Sequence, residues 1–296
     1  MAEFISATYD VVFKALFVRN PKLLREFLRD VIRLPLPANA EIVIKNPELS
    51  PSFADGKTSR LDIFVEMANR QFNVEMQAKR YGFSSDRTGF YLCKAYVDSL
   101  KSGHDYEELP ETYSVNVLDF NIYDCARYHT SFTLREDQEQ FVFFDKLSIH
   151  ILELPKVPKE LVGDNNEQMW MELIKANSEE KLAMIKDTAC SAAIQEGVDA
   201  VLALNADDEI REKIRSREDS LRDYYSGLAH SHRMGKEEGL AEGLEKGLVK
   251  GREEGREEGI EKGIEKGREE ERRKLAESLR KNGFTEDQIR KLLEME

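Results

Sequence analysis

Apolar positions change their spacing several times along residues 1–155, and each change marks an element. In 22–33, KLLREFLRDVIR, the residues Leu23, Leu24, Phe27, Leu28, Val31 and Ile32 recur at steps of three and four, the stripe of an amphipathic helix. Asn20-Pro21 ahead of it supplies a cap residue and a proline suited to the first helical position. The period then shortens to two. EIVIKNPEL reads as a short strand, and SRLDIFVEM and QFNVEMQAK as a hairpin-like pair about a turn at Ala68-Asn69-Arg70. Ser84 or Ser85 caps a helix expected to run to about Ser102, with Gly103 at its C-terminal end. TYSVNVLDFNIY is mostly apolar with β character and predicts a central strand, and YHTSFTLRE and FVFFDKLSIHILEL predict two more. Strand–strand–helix–strand is the order of an α/β chain, not an all-β one.

Beyond residue 155 the pattern turns helical, from NNEQMWMELIKA to EIREKIRSREDSLRDYYSGLAHSHR. Trp170, Leu173 and Ile174 mark an apolar face, so 156–232 reads equally as a second small domain or as a lid packed on the first. Glycine then falls at every fourth residue from Gly235 to Gly267, in units such as GLEK and GREE. Each Gly costs a helix roughly 1 kcal/mol relative to Ala, while a Glu–Lys pair returns only about 0.2–0.5 kcal/mol. The segment 233–271 is therefore a flexible spacer or a helix that gains a partner. Residues 272–296 predict a helical hairpin that pairs with another copy, with Gly283 ending one helix and Thr285 with Gln288 opening the next as a capping box. A DNA-reading helix-turn-helix is the less favoured reading, because the second helix is short and acidic.

Composition narrows the class. The 296 residues carry a net charge of −13, and residues 233–296 account for only −2 of it. No whole-domain basic field marks nucleic acid, so DNA binding has to use a local patch or a metal-assisted site. Cys93, Cys125 and Cys190 are far apart with no CxxC spacing, which excludes a zinc framework and fits reduced thiols in the cytoplasm. No signal peptide and no 18-residue apolar run is present, so no membrane role is expected. The absence of a GxxxxGK[ST] loop and of a GxSxG elbow removes the case for a nucleotide cofactor or a serine nucleophile.

The chemistry gathers on the hairpin. In FNVEMQAK, residues 72–79, Phe72, Val74 and Met76 point one way, and Asn73, Glu75, Gln77 and Lys79 the other. Asp62 sits early on the preceding strand. An acid on one strand and E-x-Q on its neighbour cluster oxygen ligands at one sheet end. Hard divalent cations such as Mg²⁺, or Mn²⁺ in its place, take such ligands and complete their shell with water and substrate phosphate. In the following helix Arg87, Tyr91, Lys94 and Asp98 form one polar stripe. It reads as a phosphate-contacting face (Arg87 and Lys94, with Tyr91 beside them) or as ordinary solvated surface. Glu26 falls on the solvated side of its helix, and His230 and His232 lack a third ligand.

YDVVFKALF at 9–17, LDI at 61–63, VEMQ at 74–77, the Arg-x-x-x-Tyr helix and VLDF at 117–120 together resemble the Rpn family of recombination-promoting nucleases, also described as PD-(D/E)xK nuclease family transposases. The glycine-repeat tail resembles that family too. The resemblance implies a restriction-endonuclease-like core over 1–155, metal-dependent DNA cleavage, and a role in recombination, mobile elements or defence against foreign DNA. Carried across, Asp62 and Glu75 are metal ligands, and Gln77 stands where the superfamily usually places Lys. Glutamine can orient water or a phosphate oxygen but supplies no positive charge. Lys79, two residues on, is a candidate for that charge, and Asp10 is either a helix cap or a further acidic site residue. The competing reading is a nuclease fold that no longer cleaves and serves as a DNA-binding or assembly module. An RNase-H-like transposase fits E-x-Q on one strand poorly.

Overall fold

The stripe of 22–33 forms the helix it predicts. In the computed structural model, which describes residues 4–45, 48–49, 59–60, 62–80, 83–100, 103 and 105–294, α2 spans Pro21–Ile32 and buries Leu23, Leu24, Phe27, Leu28 and Val31. Asn20 does not cap it through its side chain. The amide instead donates to the carbonyl of Leu16 at 2.8 Å, closing the preceding helix α1, Asp10–Arg19. Nor does Asp10 cap α1, whose N-cap is Tyr9.

The strands are β1 (Ile42–Lys45), β2 (Glu48–Leu49), β3 (Ser59–Arg60), β4 (Ile63–Met67), β5 (Arg70–Gln77), β6 (Glu111–Leu118), β7 (His129–Arg135) and β8 (Val142–Glu153). Six form one mixed sheet in the order β1-β4-β5-β6-β8-β7, and β2 pairs with β3 alone. The β4–β5 hairpin turns on Ala68 and Asn69, both at positive φ (52° and 57°), the two-residue geometry that suits the twist of paired strands. Arg70 already belongs to β5. Asp62 lies just before β4 rather than within it. Leu61 of the LDI motif and Ser102 lie outside the described residues. The following helix α3, Ser85–Asp98, ends four residues short of Ser102. β6 is central as expected, parallel to both β5 and β8.

Period-2 alternation gives the sheet two different faces. On one, Val65, Phe72, Val74, Val115, Val117 and Leu152 share a core with α1, α2 and the helices α4 (Asn166–Lys175), α5 (Glu179–Thr188) and α6 (Ala192–Asn205). The helices after residue 155 are thus neither a separate domain nor a lid. They supply a large part of the core of the unit Met1–Arg217. The remaining unit, Glu218–Glu296, contains most of the long helix α7 (Asp208–Lys281) and α8 (Glu286–Glu294), so the glycine repeat is helical. Gly283 (φ +85°) closes α7, the Phe284 N–H reaching back to the Leu279 carbonyl at 3.2 Å. Gln288 Oε1 accepts from the Thr285 N–H at 3.0 Å, the reciprocal half of a capping box. Among the described residues no helix is long and apolar enough to cross a membrane.

At the far edge of the core face a polar chain runs inward. Arg33 and His129 both hold Glu167, at 3.0 and 2.7 Å. His129 Nε2 meets His150 Nδ1 at 2.9 Å, and His150 Nε2 meets Ser148 Oγ at 3.0 Å. Burial, then the neighbouring His129, push His150 down to about 4. Its folded pKa lies below the unfolded value near 6.5, so the unfolded chain binds the extra proton. The stability contributed by neutral His150 is complete above pH 6.5 and is lost as pH falls to about 4. We expect His150→Gln to remove roughly 2 kcal/mol of acid sensitivity across that window. Urea midpoints measured from pH 7 to pH 4 check this, and identical slopes for the two proteins would refute it.

Candidate functional site

The second sheet face has a polar interior. The parallel register sets Gln71 beside Thr112, Asn73 beside Ser114, and Glu75 beside Asn116, and all six are buried. α3 lies over this face, with Tyr91 packed against Phe64 and Ala95. TYSVNVLDFNIY reads in sequence as a mostly apolar central strand, a reading that leaves Ser114 and Asn116 without a role. The signal was the same alternation that exposed Glu75: Thr112, Ser114 and Asn116 interleave with Tyr113, Val115 and Val117.

At the C-terminal end of β5 the two candidate metal ligands come together. Asp62 Oδ2 accepts the backbone N–H of Met76, the residue after Glu75, at 3.2 Å. Glu75 is only 5 % exposed. Its two oxygens accept from Asn73 Nδ2 at 3.1 Å and from Gln77 Nε2 at 3.3 Å. Arg87 stands 3.9 Å from the same Oε2 and lies over the Tyr91 ring, 5.4 Å from its centroid. Burial, then the charge of Glu75, push the Asp62 carboxyl up to about 6, against the lowering effect of the Met76 N–H. Asp10 adds to the rise and Lys14 opposes it.

The other sequence candidates are placed less uniformly. Asp10, at the start of α1, pairs with Arg217 of α7. Gln77 and Glu75 share a face as alternation requires. Lys79 does not continue that face: β5 ends at Gln77, and Lys79 is exposed on a bend. Lys94 is turned in, its side chain 10 % exposed and paired with Asp98 at 3.1 Å, while Arg87 and Asp98 at the two ends of the stripe are exposed. Glu26 is not freely solvated either, being held by Arg25 at 2.9 Å and by Arg29. His230 and His232 are exposed on α7.

The donor set is all oxygen, the carboxylates of Asp62 and Glu75; Asn73, whose Nδ2 donates to Glu75, has its Oδ1 buried and without a hydrogen-bond partner among the described residues. A buried amide oxygen with no donor costs roughly 1–3 kcal/mol. Among the described residues no three of His, Cys, Asp and Glu converge as a closed cage. Two carboxylates with an open remainder suit a Mg²⁺-type ion that keeps several waters and takes substrate phosphate, better than zinc. The arrangement can hold a hard divalent cation and orient a water or phosphate oxygen through Gln77.

A family model described as PD-(D/E)XK nuclease family transposase matches residues 7–231. That span takes in the helices after residue 155, as the shared core requires. No curated protein and no solved structure matches the chain.

Proposed function

From the premise that the chain belongs to the PD-(D/E)XK nuclease family transposases, we propose that it is a metal-dependent DNA endonuclease acting in the cytoplasm, in recombination, transposition or defence against foreign DNA. The observation that carries this reading is the approach of Asp62 to the strand of Glu75, its carboxylate accepting the N–H of Met76, the next residue. A bound Mg²⁺ or Mn²⁺ supplies Lewis-acid stabilisation of phosphate charge and a more acidic water. Asp62 and Glu75 would hold the ion, with the remainder of its shell left to water and substrate phosphate. Asn73 and Gln77 fix the orientation of Glu75 by hydrogen bonds to its two oxygens. Arg87, next to Glu75 and partly exposed, steadies a DNA phosphate. We assign the C-terminal helices the task of bringing copies together, with 233–271 as the spacer and 272–296 as the pairing hairpin, an arrangement suited to cutting both strands.

Cleavage of supercoiled plasmid with Mg²⁺ or Mn²⁺, and with a chelator in place of metal, tests the reading. The wild type is expected to nick or linearise the plasmid only with metal, and Glu75→Ala to lose at least about a hundredfold in rate. A wild type that binds the cation yet cuts nothing would favour the competing reading of a non-cleaving DNA-binding module, for which the missing Lys at position 77 speaks. Glu75→Ala cutting at the wild-type rate would remove the site.

A further inference from the structure

We propose that a lysine-lined pocket between α4, α5 and the segment after β8 is a second binding site of this protein, one that takes a backbone phosphate of DNA. This rests on the nuclease reading above and deepens it. A chain of net charge −13 needs a local basic patch to hold a polyanion. The pocket has a volume of about 340 Å³ and is lined by Lys159, Glu172, Lys175, Asn177 and Lys181. None of these residues belongs to the acid site at Asp62 and Glu75.

Glu172 organises the pocket. Its side chain, on α4, is 1 % exposed, and two ammonium groups close on it. Lys175, one turn on, brings Nζ to 2.6 Å from Oε1, and Lys181, from α5, brings Nζ to 2.9 Å from Oε2. The contact at Oε1 is one of charge, because that buried oxygen has no hydrogen bond among the described residues. An ammonium carries three donors and no acceptor, so a single carboxylate leaves most of the donors of this pair unused. Both lysine side chains are largely covered, at 26 % and 28 % exposed, which weakens the competition from water for those donors.

Lys159 adds a third charge from a fixed backbone. Gln168 Nε2 donates to the Pro158 carbonyl at 3.1 Å and to the Glu160 carbonyl at 2.6 Å, tying the residues on both sides of Lys159 to α4. Among the described residues the Lys159 ammonium and the Asn177 amide have neither a hydrogen bond nor an ion pair, although both line the pocket. The lining thus carries three positive charges against one negative, with two donor groups unengaged. A phosphodiester, an anion rich in acceptors, answers that imbalance. β8 runs parallel to β6, and β6 to β5, so the chain leaves β8 at the sheet end where Gln77 closes β5. The short turn Leu154–Lys156 follows, then Lys159. The segment that carries Lys159 therefore emerges from the same sheet end as the acid site.

The experiment compares full-length wild type, Lys159→Gln, Asn177→Asp and Glu172→Gln, with Lys22→Gln, an exposed lysine on α2 outside the pocket, as the control for net charge. Binding of a short fluorescent duplex is read by anisotropy over a range of salt without divalent metal, and binding of inorganic phosphate by calorimetry. Lys159→Gln is expected to bind the duplex about five- to tenfold more weakly, with the slope of log affinity against log salt reduced by about one. Asn177→Asp weakens binding by a similar factor. Lys22→Gln changes it by less than about twofold. Glu172→Gln keeps the shape and removes the one negative charge, so it binds the duplex more tightly, which a loss of structure would not produce. Lys159 has no partner to lose, so its variant reads the pocket even where Glu172→Gln folds poorly. Equal affinity and slope in Lys159→Gln and Lys22→Gln overturn the proposal; if Lys159→Gln then alone loses inorganic phosphate, the ligand is a small phosphate and not DNA. Plasmid cleavage separates this from the nuclease reading. A wild type that cuts, beside such equal affinities, leaves the nuclease standing without the pocket. A wild type that binds Mn²⁺ and cuts nothing, while Lys159→Gln shows the weaker duplex binding, removes the nuclease and keeps the pocket.

Discussion

Asp62→Asn is expected to abolish cleavage and to make the protein more stable at neutral pH. The two effects have one cause. Asp62 is held beside Glu75 in a largely desolvated position, and its carboxyl is pushed up to about 6, against an ordinary value near 3.9 in the unfolded chain. Between these values the folded protein binds the extra proton, so stability falls as pH rises from about 4 to about 6 and stays at the lower level above that. The charged form at pH 7 therefore costs the fold roughly 2 kcal/mol, taking about 1.4 kcal/mol per unit and discounting for partial exposure. Asparagine carries no charge, and its amide oxygen still accepts the Met76 N–H, so the variant keeps the bond and loses the repulsion. Urea unfolding of wild type and Asp62→Asn at pH 7 and pH 4 checks this. The variant should be more stable at pH 7, and the two should converge at pH 4. Millimolar Mg²⁺ at pH 7 should close the gap by stabilising only the wild type. A variant less stable than wild type at pH 7 would show that Asp62 is a structural group. His150 titrates with the opposite sign over an overlapping range, so the comparison is best repeated in the His150→Gln background, where the acid limb of that residue is absent.

Trp170→Ala is expected to cost about 3–5 kcal/mol and to destabilise the sheet together with the helices. Trp170 is fully buried on α4. Its ring stands 5.9 Å from that of Phe27, edge-on, and 6.2 Å from that of Phe17. Its Nε1–H donates to Asp30 Oδ2 at 3.0 Å. A β-carbon added to Gly197 would come within 3.2 Å of the indole, so α6 closes on the ring at its one bare position. Truncation opens a cavity among α1, α2, α4 and α6, and it removes a donor from the Asp30 carboxylate, which retains Arg29 at 3.0 Å. Far-ultraviolet circular dichroism in urea should show the core unfolding at a lower midpoint in one transition. A second transition in which helix is lost while the sheet survives would mean that the helices after residue 155 fold on their own.

Much of the fold was legible because the relevant codes are local. The stripe in KLLREFLRDVIR needs only the helical repeat. The β4–β5 hairpin needs a two-residue turn and alternation on either side. The capping box at Thr285 and Gln288 needs a reach of three residues, and the chain carries all of these without reference to anything distant. The pairing of Glu75 and Gln77 on one face was legible for the same reason.

What failed to read correctly depended on neighbours far along the chain. Lys79 obeys the alternation of β5 in sequence, but β5 stops at Gln77, where the parallel partner β6 stops at Leu118. Asn73, Ser114 and Asn116 line a buried polar interior because β5 and β6 pair in parallel register across a separation of about forty residues, which no local period encodes. Lys94 follows a polar stripe yet turns inward, because α3 is laid over that polar sheet face rather than beside an apolar one. The division between the core and the later helices vanished for a similar reason: Trp170 finds its partners on α1 and α2, some 140 residues earlier, at Phe17, Phe27 and Asp30. By itself the sequence determined the elements, their local turns and caps, and the pair of acids with the E-x-Q spacing. The tertiary structure alone decided which charges meet the acids, bringing Arg87 to Glu75 and Arg217 to Asp10, because electrostatic neighbours are set by packing between elements and not by order along the chain.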